Sequence, residues 1–176
     1  LDLYIGTYKL YRKRWLKMCE IVDNYLSSEK HLQLKTLMES NIFPWYFSDF
    51  KLKPNNDLFD YQFCHIFYKK NIVNSDFFHH LEPIIKLLKP LSLIRIKANL
   101  NPITNKLVKF GTHPDQFFNC RAAIYYLNTN NGYTMIGDKK IESKENRMVL
   151  FNADQKHYGT NSTNCNNRMV INFNYF

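Results

Sequence analysis

Apolar residues in the first ninety positions recur mostly at helical spacing. Between positions 16 and 26 this spacing predicts a first helix carrying Leu16, Cys19, Ile21, Val22, Tyr25 and Leu26. A second helix can be capped by Ser27 or Ser28 and carries apolar residues at Leu32, Leu34, Leu37 and Met38. Ser75 can cap a third helix that runs to about Lys89, with Pro83 marking a break. Two aromatic-rich segments, 43–47 and 61–68, predict strands separated by a turn at 54–57.

After position 90 the period of the pattern changes from helical to alternating. In residues 93–100 the apolar side chains of Ile94, Ile96, Ala98 and Leu100 alternate with Arg95, Lys97 and Asn99. Further short strands are predicted at 108–110, 113–118, 122–128, 133–136, 148–151, 157–160 and 169–176. Many short strands with no helix between them are typical of an antiparallel sandwich or jelly roll. We therefore predict a mainly β protein with N-terminal helices (α+β), with support at 1–90 and a core at 91–176.

Composition fits one folded domain. The chain has 176 residues, of which 45% are hydrophobic and 16% aromatic, so it can bury a sizeable core. No apolar run approaches the roughly 20 residues that a membrane span needs. The four cysteines are far apart and form no Cys-x-x-Cys motif, and the chain does not open with a secretory pattern, which favours reduced thiols and an intracellular, cytoplasmic location.

The formal net charge is +9, which favours anionic partners but does not indicate to which class of molecule they belong. Part of the excess lies in residues 9–17, where Lys9, Arg12, Lys13, Arg14 and Lys17 alternate with aromatic side chains. The favoured interpretation of this basic stretch is a solvated helix face, and the alternatives are a patch that follows a phosphate backbone or one that covers an acidic protein surface. Nucleic acid is therefore a possible partner, though not the favoured one.

Three residues have the spacing of a metal site. His113 and Asp115 are two residues apart, hence on the same face of the predicted strand, and His157 supplies a second imidazole from a later strand. Two imidazoles and one carboxylate on one face of a metal are associated with non-haem Fe(II) oxygenases. Taken singly, His113-Pro114-Asp115 is more often a turn, and a lone histidine such as His157 is more often a structural group. Arg168, which opens the last predicted strand, favours the metal site because a guanidinium there can pair with a dicarboxylate that also chelates the metal.

In order and spacing the chain resembles the 2-oxoglutarate- and Fe(II)-dependent dioxygenases, particularly the prolyl-4-hydroxylase-like branch with small viral and bacterial members. The matching segments are His113-x-Asp115, Arg-Ala-Ala-Ile-Tyr-Tyr-Leu-Asn at 121–128, Asn-Arg-Met-Val-Leu-Phe at 146–151, His157, and Arg168 with the strand after it. The likeness covers residues 91–176 well and the first half only loosely. It implies a single domain over 1–176 with a double-stranded β-helix (jelly-roll) core. It also implies an oxidoreductase that uses Fe(II), 2-oxoglutarate and O2 and releases succinate and CO2.

The resemblance also implies roles for single residues. His113, Asp115 and His157 would bind iron, Arg168 would bind the distal carboxylate of 2-oxoglutarate, and Tyr126 would hydrogen-bond that carboxylate or else be a core aromatic. Asn99 and Lys97 would reach the cosubstrate or the substrate, or else belong to a solvated face.

The sequence departs from the family pattern at Gly132, where many members have two glycines, so that Tyr133 is expected to alter the pocket entrance. Pro114 also removes a backbone donor between two ligands. The expected substrate is a protein or peptide. The alternatives are a nucleic acid, a small metabolite, or no oxidation at all in a jelly-roll binding module.

Overall fold

The computed structural model describes residues 19–52 and 60–176. Eleven strands lie in these ranges: β1 Cys19–Val22, β2 Tyr46–Ser48, β3 Gln62–Lys69, β4 Ile72–Val73, β5 Leu93–Pro102, β6 Arg121–Tyr126, β7 Tyr133–Ile136, β8 Lys139–Glu142, β9 Arg147–Asn152, β10 His157–Gly159 and β11 Asn167–Tyr175. The helices are α1 Ser28–Glu39, a 3-10 helix Asp76–Leu81 and α2 Glu82–Leu88. The basic stretch at 9–17 and the turn predicted at 54–57 lie outside the described residues.

The strands form two antiparallel sheets. The larger sheet has the order β1-β9-β6-β11-β5-β3-β2, with β4 paired to β3, and the smaller sheet has the order β10-β7-β8. Neighbours in the larger sheet are mostly distant in sequence, as in a jelly roll, where successive strands alternate between the two sheets. The predicted fold class, a mainly β chain with a jelly-roll core, is confirmed.

Alternation along the central strands divides the hydrophobic core into two. On β11, Met169, Ile171 and Phe173 face the helices, where they pack with α1 and α2. Val170 faces the smaller sheet and packs with Ile124 in a second cluster. Because side chains alternate between the faces of a strand, β11 is buried on both sides, with helices on one face and the interior of the jelly roll on the other.

The predicted helix starts at Ser27 and Ser75 are confirmed. The Ser27 hydroxyl accepts a hydrogen bond from the main-chain N–H of Lys30 at 3.4 Å, and the Ser75 hydroxyl accepts one from Phe77 at 3.0 Å. The predicted third helix divides into the 3-10 helix and α2, and Pro83 lies in the first turn of α2, where a missing N–H costs no helical bond. Lys89, with φ +50°, ends α2 in the left-handed conformation.

The prediction of a helix across residues 16–26 is wrong where the structure describes it. Residues 19–22 form β1, whose four residues pair with Phe151, Leu150, Val149 and Met148 of β9. Cys19 and Ile21 then pack on the inner cluster, so strand pairing and burial outweigh the local helical spacing. The strand predicted at 43–47 begins only at Tyr46.

The strands predicted at 108–110 and 113–118 are also wrong. Each segment has only one isolated antiparallel β-bridge. Lys109 pairs with Thr160 in the first, and His113 pairs with His157 in the second. Pro114 has no N–H to continue a ladder beyond His113. Strand β8 was not predicted, because in Lys-Lys-Ile-Glu only Ile141 carries an apolar signal. No helix in the described ranges has the length and apolar character to cross a membrane.

Candidate metal centre

His113, Asp115 and His157 lie together at one end of the jelly-roll interior. Their potential ligand atoms all lie within 4.8 Å of one another. His113 and His157 exchange main-chain hydrogen bonds of 3.0 Å in both directions, and the N–H of Asp115 donates to the carbonyl of Ala153 at 2.9 Å. The three residues that the sequence spacing selects are therefore brought together, although a loop tied to β10, and not a strand face, places the first two.

Both imidazoles are oriented with the same nitrogen toward the centre of the group. His113 Nδ1 lies 3.0 Å from the carbonyl oxygen of Gly111, and His157 Nδ1 lies 3.0 Å from that of Gln155. A carbonyl can only accept, so Nδ1 of each ring carries a proton, and Nε2 is the nitrogen that each ring has left to bind a cation. Burial lowers the pKa of His157, which favours the neutral ring that binds a cation.

Asp115 is held at both oxygens. Arg95 Nη2 donates to Oδ1 at 3.1 Å, and Asn174 Nδ2 donates to Oδ2 at 3.0 Å. Oδ1 also lies 4.0 Å from Nε2 of His157. The carboxylate is only 7% exposed, so these two donors determine where it points. Two imidazoles and one oriented carboxylate suit a divalent transition metal.

A cavity of about 400 Å³ runs from these three residues into the space between the two sheets. Arg168 lines it and is 2% exposed. Its Nε donates to the hydroxyl of Ser143 at 2.7 Å and its Nη2 to that of Thr134 at 2.9 Å. No carboxylate of residues 19–52 or 60–176 forms an ion pair with it, and burial lowers its pKa. A buried guanidinium without a counter-ion is arranged to receive an anion.

Tyr126 lies behind the cavity wall, not on it. Its hydroxyl donates to Thr134 Oγ1 at 2.7 Å, and the guanidinium of Arg168 lies 5.5 Å from its ring centroid. Thr134 Oγ1 thus accepts from both Tyr126 and Arg168, which leaves the Thr134 proton free to donate into the cavity. Tyr126 therefore contacts the groups that face a ligand, while Thr134 faces it directly.

Sequence reasoning did not select Thr134 or Ser143. Thr134 directly follows Gly132 and Tyr133, in the segment that departs from the family pattern, and nothing in the local pattern marks Ser143. Gly132 in that segment allows close packing, because a Cβ there would lie 2.6 Å from Cδ of Arg168. Tyr133, expected at the pocket entrance, packs against Tyr158 and is not among the residues that line the cavity.

Asn99 and Lys97 both line the cavity, so the alternative of a solvated outer face is wrong for them. They lie on the inner face of β5 with Arg95 and Asn101, two residues apart in turn. The side-chain oxygens of Asn99 and Asn101 are buried without a hydrogen-bond partner. The polar face of this strand therefore turns toward the interior of the jelly roll, beside the metal centre.

No family model matches the chain, and no curated protein matches it. Solved structures do match. A prolyl hydroxylase from Trichoplax adhaerens, in complex with a hypoxia inducible factor oxygen degradation domain peptide fragment, superimposes with a TM-score of 0.63 at 15% identity, covering 92% of this chain and 84% of that one. The chain has the fold of the 2-oxoglutarate/Fe(II) oxygenases.

Two further structures illustrate the range of this fold. The non-haem α-ketoglutarate-dependent epimerase SnoN from nogalamycin biosynthesis has a TM-score of 0.64 at 14% identity, over 90% of this chain and 77% of that one. A Pseudomonas putida prolyl-4-hydroxylase has a TM-score of 0.56 at 10% identity, over 90% and 92%. At these identities the comparisons establish the fold, while chemistry has to be argued from the residues.

Proposed function

We propose that this protein is an Fe(II)/2-oxoglutarate-dependent dioxygenase that hydroxylates a C–H bond of its substrate and releases succinate and CO2. One observation carries the proposal. A cluster of two imidazoles and one carboxylate shares a single cavity with a buried arginine that lacks a counter-ion. A dicarboxylate that chelates the metal at one end would pair with Arg168 at the other, and so would bind both parts of the cavity.

In this proposal the metal is held by Nε2 of His113, Nε2 of His157 and a carboxylate oxygen of Asp115. The donor set fits Fe(II), because each ring has its Nδ1 hydrogen-bonded to a carbonyl, which leaves Nε2 for the metal, and because Arg95 and Asn174 orient the carboxylate. Arg168 and the Thr134 hydroxyl would bind the distal carboxylate of 2-oxoglutarate. Held by the two imidazoles and Asp115, the metal would supply the chemistry by which 2-oxoglutarate and O2 react.

Bound iron and 2-oxoglutarate would supply the oxidising chemistry, and the protein would orient the cosubstrate and exclude water from the reacting groups. Arg168, held by Ser143 and Thr134, keeps the cosubstrate in one orientation. Ile124 and Val170 form an apolar part of the wall that excludes water from the reacting groups. The charge-assisted pair at Arg168 is strong here because the guanidinium is buried.

A protein or peptide is the proposed substrate, acted on as by a prolyl hydroxylase. The support is the shared fold with the Trichoplax prolyl hydroxylase, which is itself in complex with a peptide fragment. The alternative substrates are a nucleic acid and a small metabolite, which the same chemistry would oxidise. A non-catalytic binding module is less well supported. A binding module does not require three potential metal ligands in the same cavity as a buried arginine without a counter-ion among the described residues. The free thiols accord with a reducing, intracellular location.

Succinate release tests this function. The purified chain, Fe(II) and 2-oxoglutarate would be incubated with separate pools of peptides, oligonucleotides and metabolites. We expect succinate above background, stimulated by one pool, and none from His157→Ala. The exposed His79 offers a matched control, since His79→Ala leaves the cavity untouched. Binding of neither Mn(II) nor 2-oxoglutarate by the wild type would overturn the proposal.

A further inference from the structure

Lys97 extends from the middle of β5 into the cavity. It is paired in register with Asn172 of β11 on one side and Ile66 of β3 on the other. Arg95 and Asn99 flank it on the same face, and all three line the cavity that holds the proposed metal site. Lys97 is therefore within the same enclosed space as the reacting groups, on the wall that joins the metal end to the Arg168 end.

Unlike Lys51 and Arg95, which also line the cavity, Lys97 has no partner among the residues that the structure describes. Lys51 forms an ion pair with Asp60, and Arg95 forms one with Asp115. Within residues 19–52 and 60–176, Lys97 has neither an ion pair nor a hydrogen bond, and its half-buried position lowers its pKa. Keeping an unpaired ammonium group in a partly buried cavity is costly, which indicates that an anion binds there.

The cosubstrate does not account for this charge. In the proposed function, Fe(II), Arg95 and Arg168 would bring four positive charges, whereas Asp115 and the two carboxylates of 2-oxoglutarate would bring three negative ones. The distal carboxylate meets Arg168. Lys97 remains without a negative charge after iron and cosubstrate are in place, so the missing anion belongs to a third molecule, the substrate.

We propose that the oxidised substrate carries a carboxylate that binds to Lys97, an inference that rests on the proposed dioxygenase function. The amide of Asn99, whose oxygen is buried without a partner, would accept a hydrogen bond from an N–H or O–H of the same molecule. The cavity of about 400 Å³ must also hold the cosubstrate, so it admits a small acid or one acidic side chain and not a nucleotide with its backbone. The carboxylate belongs either to a free acid or to an acidic residue of a peptide.

Matched acids and amides test this proposal. The full chain, loaded with Mn(II) and 2-oxoglutarate, would be titrated calorimetrically with the α-methylamide of N-acetylglutamate against that of N-acetylglutamine, and with the α-methylamide of N-acetylaspartate against that of N-acetylasparagine. Each acid then carries one carboxylate and its matched amide carries none. A proline-containing peptide with Glu would be compared with the same peptide carrying Gln. We expect at least one acid to bind tenfold or more tightly than its amide, and whether that acid is free or peptidyl identifies the source. Lys97→Met should remove about tenfold to a hundredfold of that affinity, and Lys97→Arg should restore most of it.

Two controls separate the possible failures. Lys97→Met should leave the affinities for Mn(II) and 2-oxoglutarate within twofold of the wild type, and Lys86→Met, at an exposed ion pair on α2, should change nothing. Equal binding of acids and amides, no binding of any acid, or an acid affinity unaffected by Lys97→Met would overturn the inference. A loss of 2-oxoglutarate affinity in Lys97→Met would also overturn it, because Lys97 would then bind the cosubstrate. If the wild type binds neither Mn(II) nor 2-oxoglutarate, the proposed function fails, and the same titrations of the metal-free chain still decide whether Lys97 binds carboxylates.

Discussion

The main-chain N–H of His113 donates to the carbonyl of His157, and the N–H of His157 donates to the carbonyl of His113, each at 3.0 Å. This isolated antiparallel bridge sets the two ring centroids 4.6 Å apart. The imidazoles are thus positioned by backbone, independently of any metal. A site prepared in this way loses little entropy when a cation binds.

Replacing His157 by Ala should remove metal binding and leave the fold intact, because alanine keeps both hydrogen bonds of the bridge. We expect the affinity for Mn(II) to fall about a hundredfold or more, since a ligand is lost along with the geometry that selects the metal. Water-proton relaxation of Mn(II) measures this, with His79→Ala as the control. An unchanged Mn(II) affinity in a folded variant would remove His157 from the site.

Asn174→Ala should weaken the metal centre without removing a ligand. Asn174 is fully buried and donates to Oδ2 of Asp115, so its loss frees the carboxylate to rotate. We expect roughly a tenfold loss of Mn(II) affinity, within the range seen for groups that orient metal ligands. Asn172→Ala, two residues away on the same face of β11, makes no bond to Asp115 and should have no such effect. Equal Mn(II) affinities for the two variants would contradict this role.

Arg168→Met should raise the concentration of 2-oxoglutarate needed for half-saturation by about one to three orders of magnitude, because a charge-assisted pair in a closed pocket is lost. Mn(II) affinity should not change. Arg168→Lys should restore binding only in part, since Lys cannot form the bidentate pair. Arg147→Met, which breaks the exposed ion pair with Asp23, serves as the control. Wild-type 2-oxoglutarate affinity in Arg168→Met would locate the cosubstrate elsewhere.

Gly132→Ala should disturb the cosubstrate end of the cavity. The added Cβ would lie 2.6 Å from Cδ of Arg168, and the backbone of Asn161 blocks the other direction. We expect lower stability and, in the protein that folds, a 2-oxoglutarate affinity at least tenfold weaker than that of the wild type. Gly137→Asn is the comparison, because Gly137 has φ +54° with open space around it, and Asn tolerates that conformation. Similar 2-oxoglutarate affinities in the two variants would refute the packing argument.

Acid should destabilise the fold through His65. Its Nδ1 donates to the carbonyl of Pro44 at 2.7 Å, its Nε2 accepts from the Ser75 hydroxyl at 2.7 Å, and burial lowers its pKa below the usual 6.5. The unfolded chain then binds a proton more readily than the folded chain, so the free energy of unfolding rises with pH and levels off above about 6.5.

Urea unfolding of the wild type and His65→Gln between pH 5 and 7.5 measures this dependence. The variant should show a smaller slope of unfolding free energy against pH across the acidic part of the range, because it lacks the titrating ring. His79→Gln, at an exposed histidine, should keep the wild-type slope. A wild-type slope in His65→Gln would show that other groups cause the dependence.

Local signals in the sequence determined several secondary-structure elements of this protein and its main candidate site residues. The alternation of residues 93–100 predicted β5 because a strand with two different faces needs a period of two, and the hydroxyls of Ser27 and Ser75 marked helix starts because a cap acts within one turn. Spacing also selected His113, Asp115, His157 and Arg168, which the structure places around one cavity.

Tertiary structure decided what depends on partners far along the chain. Residues 19–22 became a strand because β9 offered an unpaired edge, and residues 113–118 stayed irregular because only His113 found a partner in β10. Thr134 lines the cavity, where its hydroxyl accepts hydrogen bonds from Tyr126 and Arg168. Lys97 was left without a counter-ion in that cavity because β5 turns its polar face inward. Such contacts are not encoded in local periodicity, since a short segment carries no information about which distant side chains will meet it.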